Sequence, residues 1–237
     1  MNSDPHIRKV HGRRLGRPLR HARSDALDKF YPLYGLEESD LPQDGTLNPH
    51  TLFQTARARL FLEIGFGSGE FLCDQLQRYP ENGYIAAEPF INGMSSLLLK
   101  LSETYGAELA PARLYMDDAR DILDSLQDNS LDGIFVLNPD PWPKTRHHKR
   151  RMIVQDNLDK MARVLKPGGA LTMTTDVAEL AEWMATEAMR HGSFEWTANS
   201  SADWYTAPKD WLTTRYEQKG ADVGRRQVYL LFRKKSA

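Results

Sequence analysis

Between residues 60 and 176 five short apolar runs recur, and each stops on a residue that turns the chain or carries charge. Run 61–64 stops at glycine, 84–87 at Glu88, 113–116 at Asp117-Asp118, 134–137 at a proline loop, and 170–175 at Asp176. Segments with helical spacing follow four of them: 70–79, 92–105, 151–165 and 178–190. Strands alternating with helices through short connections predict a mostly parallel sheet with helices on both faces. A closing strand pair near 194–196 and 227–233 brings the expected sheet to seven strands. Open α/β sheets bind ligands at the carboxyl edge of their strands, which puts the residues that end these runs at the candidate site.

At 237 residues and 41% hydrophobic content, the chain can build one sizeable α/β core. We expect a single domain over 31–237, preceded by a basic and flexible arm over 1–30, with 31–49 as an irregular lead-in. No run of about 18 apolar residues is present, so no membrane span is expected. The N-terminal stretch lacks the apolar core of a secretory signal. One cysteine, Cys73, cannot form an internal disulfide, which suits a reducing cytoplasm. The net charge of −1 hides an asymmetry: residues 1–23 hold seven Arg and Lys, Arg13, Arg14 and Arg17 among them, against the single acid Asp4. A basic arm on an acidic body is a layout for binding a polyanion, although a solubilising tail has the same composition.

The first run leads into Glu63-Ile64-Gly65-Phe66-Gly67-Ser68-Gly69-Glu70, and Glu88 ends the next. Alternate glycines let the backbone turn sharply and a ligand approach closely, and an acid ending the following strand can take both hydroxyls of a ribose. A dinucleotide site competes. Its fingerprint wants a glycine where this chain has Glu70, and Glu63 and Glu70 repel a pyrophosphate. A cationic donor without phosphate, S-adenosylmethionine, fits better. Asp118 can accept from an adenine amino group, or it can cap a helix that starts at Ala119. Cys73 reads as core filler.

Residues 138–151 carry the most specific signal. Pro139, Pro141 and Pro143 hold Asp140 and Trp142 on a stiff loop, and Lys144, Arg146, Lys149, Arg150 and Arg151 follow with no acid among them. An acid and an aromatic beside a cationic strip suggest chemistry on a nucleic-acid base, the cations holding phosphates. Trp142 can stack on a base or pack beneath the loop. His147 and His148 lack ligand spacing, so no metal is expected. Asp176 can bind substrate or cap the next helix, and Thr214 and Glu217 stand at capping-box spacing.

These motifs resemble those of the bacterial tRNA (guanine-N7-)-methyltransferases. The matching residues are 61–69, Glu88-Pro89, Asp118-Ala119, Pro139-Asp140-Pro141-Trp142, Lys144, His148-Lys149-Arg150-Arg151, Thr175-Asp176 and Thr214-Arg215-Tyr216-Glu217. The resemblance covers residues 60–235. It implies a Rossmann-like class I methyltransferase fold, S-adenosyl-L-methionine as donor with S-adenosyl-L-homocysteine as product, and N7 of guanosine 46 in the tRNA variable loop as acceptor. By position, Glu63, Gly65, Gly67, Gly69, Glu88, Asp118 and Asp140 would line the donor site, with Asp140 also catalytic. Lys144, Asp176, Thr214, Arg215, Tyr216 and Glu217 would contact substrate. Asn138 and Pro143 depart from the family's pattern around the loop. A monomer or a homodimer is compatible with all of this. The competing readings are a methyltransferase acting on an exocyclic amine, since Asn138-Pro139 begins like such a loop, then a non-catalytic tRNA-binding module, then a dehydrogenase.

Overall fold

The computed structural model describes residues 12–106 and 108–236. The arm residues Arg8 and Lys9 lie outside the described residues. Eight strands form one sheet: β1 (Gly35–Leu36), β2 (Leu60–Ile64), β3 (Gly83–Ala87), β4 (Ala112–Tyr115), β5 (Leu131–Leu137), β6 (Leu165–Thr175), β7 (Phe194–Trp196) and β8 (Val228–Lys234). Their order across the sheet is β1-β4-β3-β2-β5-β6-β8-β7. All neighbours run parallel except β8, which is antiparallel to both β6 and β7. The central register sets Leu62 between Ile85 and Ile134. Every residue of β3 is buried, as expected of a parallel strand covered on both faces.

Two core clusters lie on the two sides of the sheet. One joins Ile122, Leu158, Met161, Leu180 and Met184 to the strands, from α4 (Ala119–Ser125), α5 (Gln155–Val164) and α6 (Ala178–Arg190). The other uses α1 (His21–Tyr34), α2 (Glu70–Arg78) and α3 (Ile91–Tyr105), through residues such as Tyr34, Leu72, Leu76, Leu97 and Leu98. Cys73 packs at the edge of this second cluster as a free thiol, and burial pushes it up to about 11. A last helix, α7 (Arg215–Asp222), sits in the long connection between β7 and β8.

Three expectations need correction. Seven strands become eight because the two-residue β1 pairs with the edge of β4, in a stretch expected to be irregular. Helix α1 crosses residue 30, where the arm was expected to end. Its Ala26 and Tyr34 are buried, and the Tyr34 hydroxyl accepts from the Ala110 amide at 2.9 Å. The helix expected from residue 151 starts at Gln155; residues Thr145–Arg150 form a 3-10 turn instead, and Arg151 ends it.

Candidate active site

The glycine turn opens at the carboxyl end of β2. Gly67 has φ 56° and Gly69, the N-cap of α2, has φ 72°, a left-handed backbone that favours glycine. A Cβ at Gly69 would stand 2.5 Å from the Leu97 side chain, whereas one at Gly67 would meet nothing within 4 Å. The turn is therefore closed towards α3 and open towards the cleft. Glu88 is buried and held by two backbone amides: Gly67 N–H donates to one carboxylate oxygen at 2.7 Å and Phe90 N–H to the other at 3.0 Å. Burial pushes the Glu88 carboxyl up, and the two amides pull it back. Behind it Glu63 is 3% exposed, and burial, reinforced by Glu88, raises its carboxyl to about 8. Its Oε2 is buried without a hydrogen-bond partner.

Gly65, Gly67, Glu88, Asp117, Asp118 and Asp140 line one cleft of about 300 Å³. An orphaned, dehydrated acid beside an open glycine turn and a ribose-sized acid fits the amino-acid head and ribose of S-adenosylmethionine. It opposes a pyrophosphate. Asp118 caps α4, accepting from Arg120 N–H at 3.0 Å, and is ion-paired with the Arg120 side chain. The capping alternative is thus realised in a residue that also lines the cleft.

The proline loop lines the same cleft. Its ends, Asn138 (φ 48°) and Trp142 (φ 42°), are both left-handed, which is costly for residues with a Cβ. The Asn138 carboxamide oxygen accepts from Gln227 Nε2 at 2.8 Å. Asp140 lines the cleft, and partial dehydration there raises its carboxyl above the usual range. Trp142 is half-buried, with the Arg150 guanidinium 5.1 Å over its ring and the His147 ring edge-on at 5.9 Å. It is packed within its own loop and strip, outside the two main cores.

Asp176 directly follows β6, but the N-cap of α6 is Val177, so its capping alternative fails. Asp176 is buried, paired with Arg225 at 3.0 Å and approached by the Tyr216 hydroxyl at 3.5 Å. Thr214 does cap α7, accepting from Glu217 N–H at 3.3 Å. The Glu217 carboxylate instead accepts from Trp211 Nε1 at 3.2 Å, and burial raises its pKa. Arg215 is exposed and ties α7 to the glycine turn, its backbone N–H donating to Glu70 at 2.7 Å. Sequence reasoning missed Arg225, Trp211 and Glu70 as parts of this site. Glu70 carried a signal, as an acid where a dinucleotide site wants glycine, while Arg225 and Trp211 carried none.

The basic residues divide. Lys144, Arg146 and Lys149 are exposed, as phosphate contacts require. Arg151, expected among them, is 2% exposed and bonded to the protein. In the arm, Arg14 pairs with Asp117 at the cleft, and the Arg13 guanidinium lies 5.5 Å over the Phe90 ring. The Arg14 and Arg17 carbonyls accept from Ile91 N–H at 3.1 Å and Asn92 Nδ2 at 2.8 Å. Residues 12–17 thus run along the donor cleft.

A parallel sheet closed by an antiparallel strand, with a glycine turn after one central strand and an acid ending the next, defines a class I methyltransferase. The solved 16S rRNA methyltransferase KamB has this fold, with a TM-score of 0.56 at 15% identity over 76% of this chain and 89% of that one. Residues 57–230 match the family model described as "Putative methyltransferase". A tRNA (guanine-N(7)-)-methyltransferase of Rhizobium johnstonii is 42% identical over 94% of this chain and 93% of its own length. One from Brucella abortus is 43% identical over 93% and 92%. The chain belongs to the tRNA (guanine-N(7)-)-methyltransferase family.

Proposed function

We propose that this protein methylates N7 of a guanosine in tRNA, at position 46 of the variable loop, using S-adenosyl-L-methionine. The observation that carries the reading is Asp140, held by a proline loop in the same cleft as Glu88. N7 of guanine is a lone-pair acceptor on the base edge and has no proton to lose, so the site needs no general base. The donor supplies a methyl group on a cationic sulfur. Gly65 and Gly67 give its head room while Gly69 packs the turn on α3, Glu63 meets its amino group from behind the turn, and Glu88 takes the ribose hydroxyls. Asp118 and Ala119 border the adenine. Methylation leaves the purine positively charged, and Asp140 supplies the counter-charge as it develops. The rest of the rate comes from alignment of the two reactants across the cleft.

On the acceptor side, Asp176, with Tyr216 and Arg225 around it, and the capped start of α7 with Thr214, Arg215 and Glu217 form the wall that orients the base. Lys144, Arg146 and Lys149 hold phosphates, and Arg150, stacked on Trp142, borders them. One reduced thiol and a polyanionic substrate fit a cytoplasmic setting. The test is incubation with unmodified tRNA transcripts and methyl-labelled donor, followed by aniline cleavage and mass spectrometry. Label on an exocyclic amine, or none, would reject the reading.

A further inference from the structure

We propose that Arg151 is a positioning residue for methyl transfer: its guanidinium sets the loop that carries Asp140 against the donor cleft and makes no RNA contact. This rests on the role given to Asp140 above. In sequence Arg151 is the last of five cations in 144–151 and looks like the others. In the structure it is 2% exposed and lines the donor cleft. Its Nε donates to the Pro141 carbonyl at 2.9 Å and its Nη2 approaches the Trp142 carbonyl at 3.4 Å. The same Nη2 donates to Glu179 of α6 at 2.7 Å. The guanidinium plane also lies 4.7 Å over Trp183, whose own indole N–H is fixed on the Ile153 carbonyl at 2.7 Å.

Pro141 and Trp142 directly follow Asp140. Pro139, Pro141 and Pro143 have no N–H, so the loop cannot knit itself together and depends on donors from outside. Gln227 supplies one at Asn138, and Arg151 supplies the other at the far end. Asp140 sits midway between two left-handed residues whose conformations are each stabilised by a side chain remote in sequence. Only a planar, permanently charged fork can bond the loop's carbonyls and Glu179 while stacking on an indole, so lysine is no substitute.

The test is Arg151→Lys in the full chain, read as the single-turnover rate at saturating donor and tRNA, with tRNA affinity measured across salt. We expect the saturated rate to fall by at least about tenfold, as for loss of alignment, with tRNA affinity and its salt slope unchanged. Lys149→Gln is expected to do the reverse, weakening tRNA binding and lowering the salt slope by about 1. A parental rate for Arg151→Lys would overturn the proposal. So would a loss that saturating tRNA restores together with a shallower salt slope, since that marks a phosphate contact. Should Arg151→Lys not fold, Glu179→Ala carries the test, because that side chain is 54% exposed. It is expected to lower the saturated rate several-fold without changing the salt slope, and a parental rate there overturns the proposal equally. If the parent protein labels an atom other than N7, the functional reading falls while the ratio of variant to parent still decides the role of Arg151.

Discussion

Two groups of buried carboxylates stand at the carboxyl edge of the sheet, and they are neutralised in different ways. On the donor side Asp118 has Arg120, whereas Glu63 and Glu88 have no ion pair among the described residues; Glu88 has only backbone amides, and one oxygen of Glu63 has no partner. On the acceptor side, Asp176 has Arg225, and Glu217 has the Trp211 indole N–H. A buried charge without a counter-charge is costly, and two adjacent acids raise each other's pKa. Glu63 and Glu88 are thus without a counter-charge until a cation enters. On the acceptor side Asp176 is already compensated by Arg225, whereas Glu217, like Glu88, has only neutral N–H donors and is pushed up by burial.

Asp140 stands where the two sides meet, so the largest effect is expected there. Asp140→Asn should leave donor affinity within a few-fold and cut single-turnover methylation by roughly 10²–10³, the scale for losing one preorganised electrostatic group. A folded variant with parental turnover would remove Asp140 from the mechanism and leave the cleft with no counter-charge for the product.

The unmatched charge on the donor side should next be visible in stability. The folded Glu63 carboxyl, raised to about 8 from an ordinary 4.5, holds its proton more tightly than in the unfolded chain. Its stabilising contribution is complete below about 4.5 and is lost as pH rises through about 8, on the order of a few kcal/mol. The melting temperature of the donor-free protein should therefore fall over that window, and Glu63→Gln should flatten the fall. An identical pH profile in the two proteins would show that Glu63 is already neutralised and would dissolve the contrast between the sides.

Glu88→Ala should weaken S-adenosylmethionine binding by roughly 1–3 kcal/mol, the range for charge-assisted hydrogen bonds. Calorimetry that returns an unchanged dissociation constant would take Glu88 out of the ribose site. The smallest effect is expected from Arg14→Ala, which breaks a half-exposed pair with Asp117 at the cleft. Such pairs contribute roughly 0.2–1 kcal/mol, so donor affinity should drop only slightly and the difference should shrink in high salt. Tighter donor binding would mean that the arm obstructs the cleft.

The parallel sheet and the donor side were legible because their signals are local. An apolar run, a glycine turn and a terminal acid lie within a few residues of one another, and the chain has no other way to satisfy their backbone groups. The acceptor side was legible only as a motif. Thr214 and Glu217 announce a cap, but nothing near Asp176 points to Arg225, and nothing near Glu217 says that its carboxylate faces Trp211. A run of cations is equally mute about direction. Arg150 and Arg151 are adjacent, yet one lies over Trp142 and the other is enclosed between the loop and α6. Helix α1 escaped notice although Leu27, Phe30, Tyr31 and Tyr34 stand at helical spacing and pack on the second cluster, because Pro32 inside the helix reads as a break.

The single thiol has a practical consequence. With its pKa pushed up to about 11, Cys73 is almost wholly protonated at neutral pH, and the thiolate is the form that reacts with alkylating reagents. The native chain is therefore chemically quiet towards maleimides. A cysteine introduced at exposed Arg17 or Lys149 can carry a fluorophore with Cys73 left in place. The docking of the arm along the cleft and the approach of RNA to the cationic strip then become separately observable in one otherwise unaltered protein.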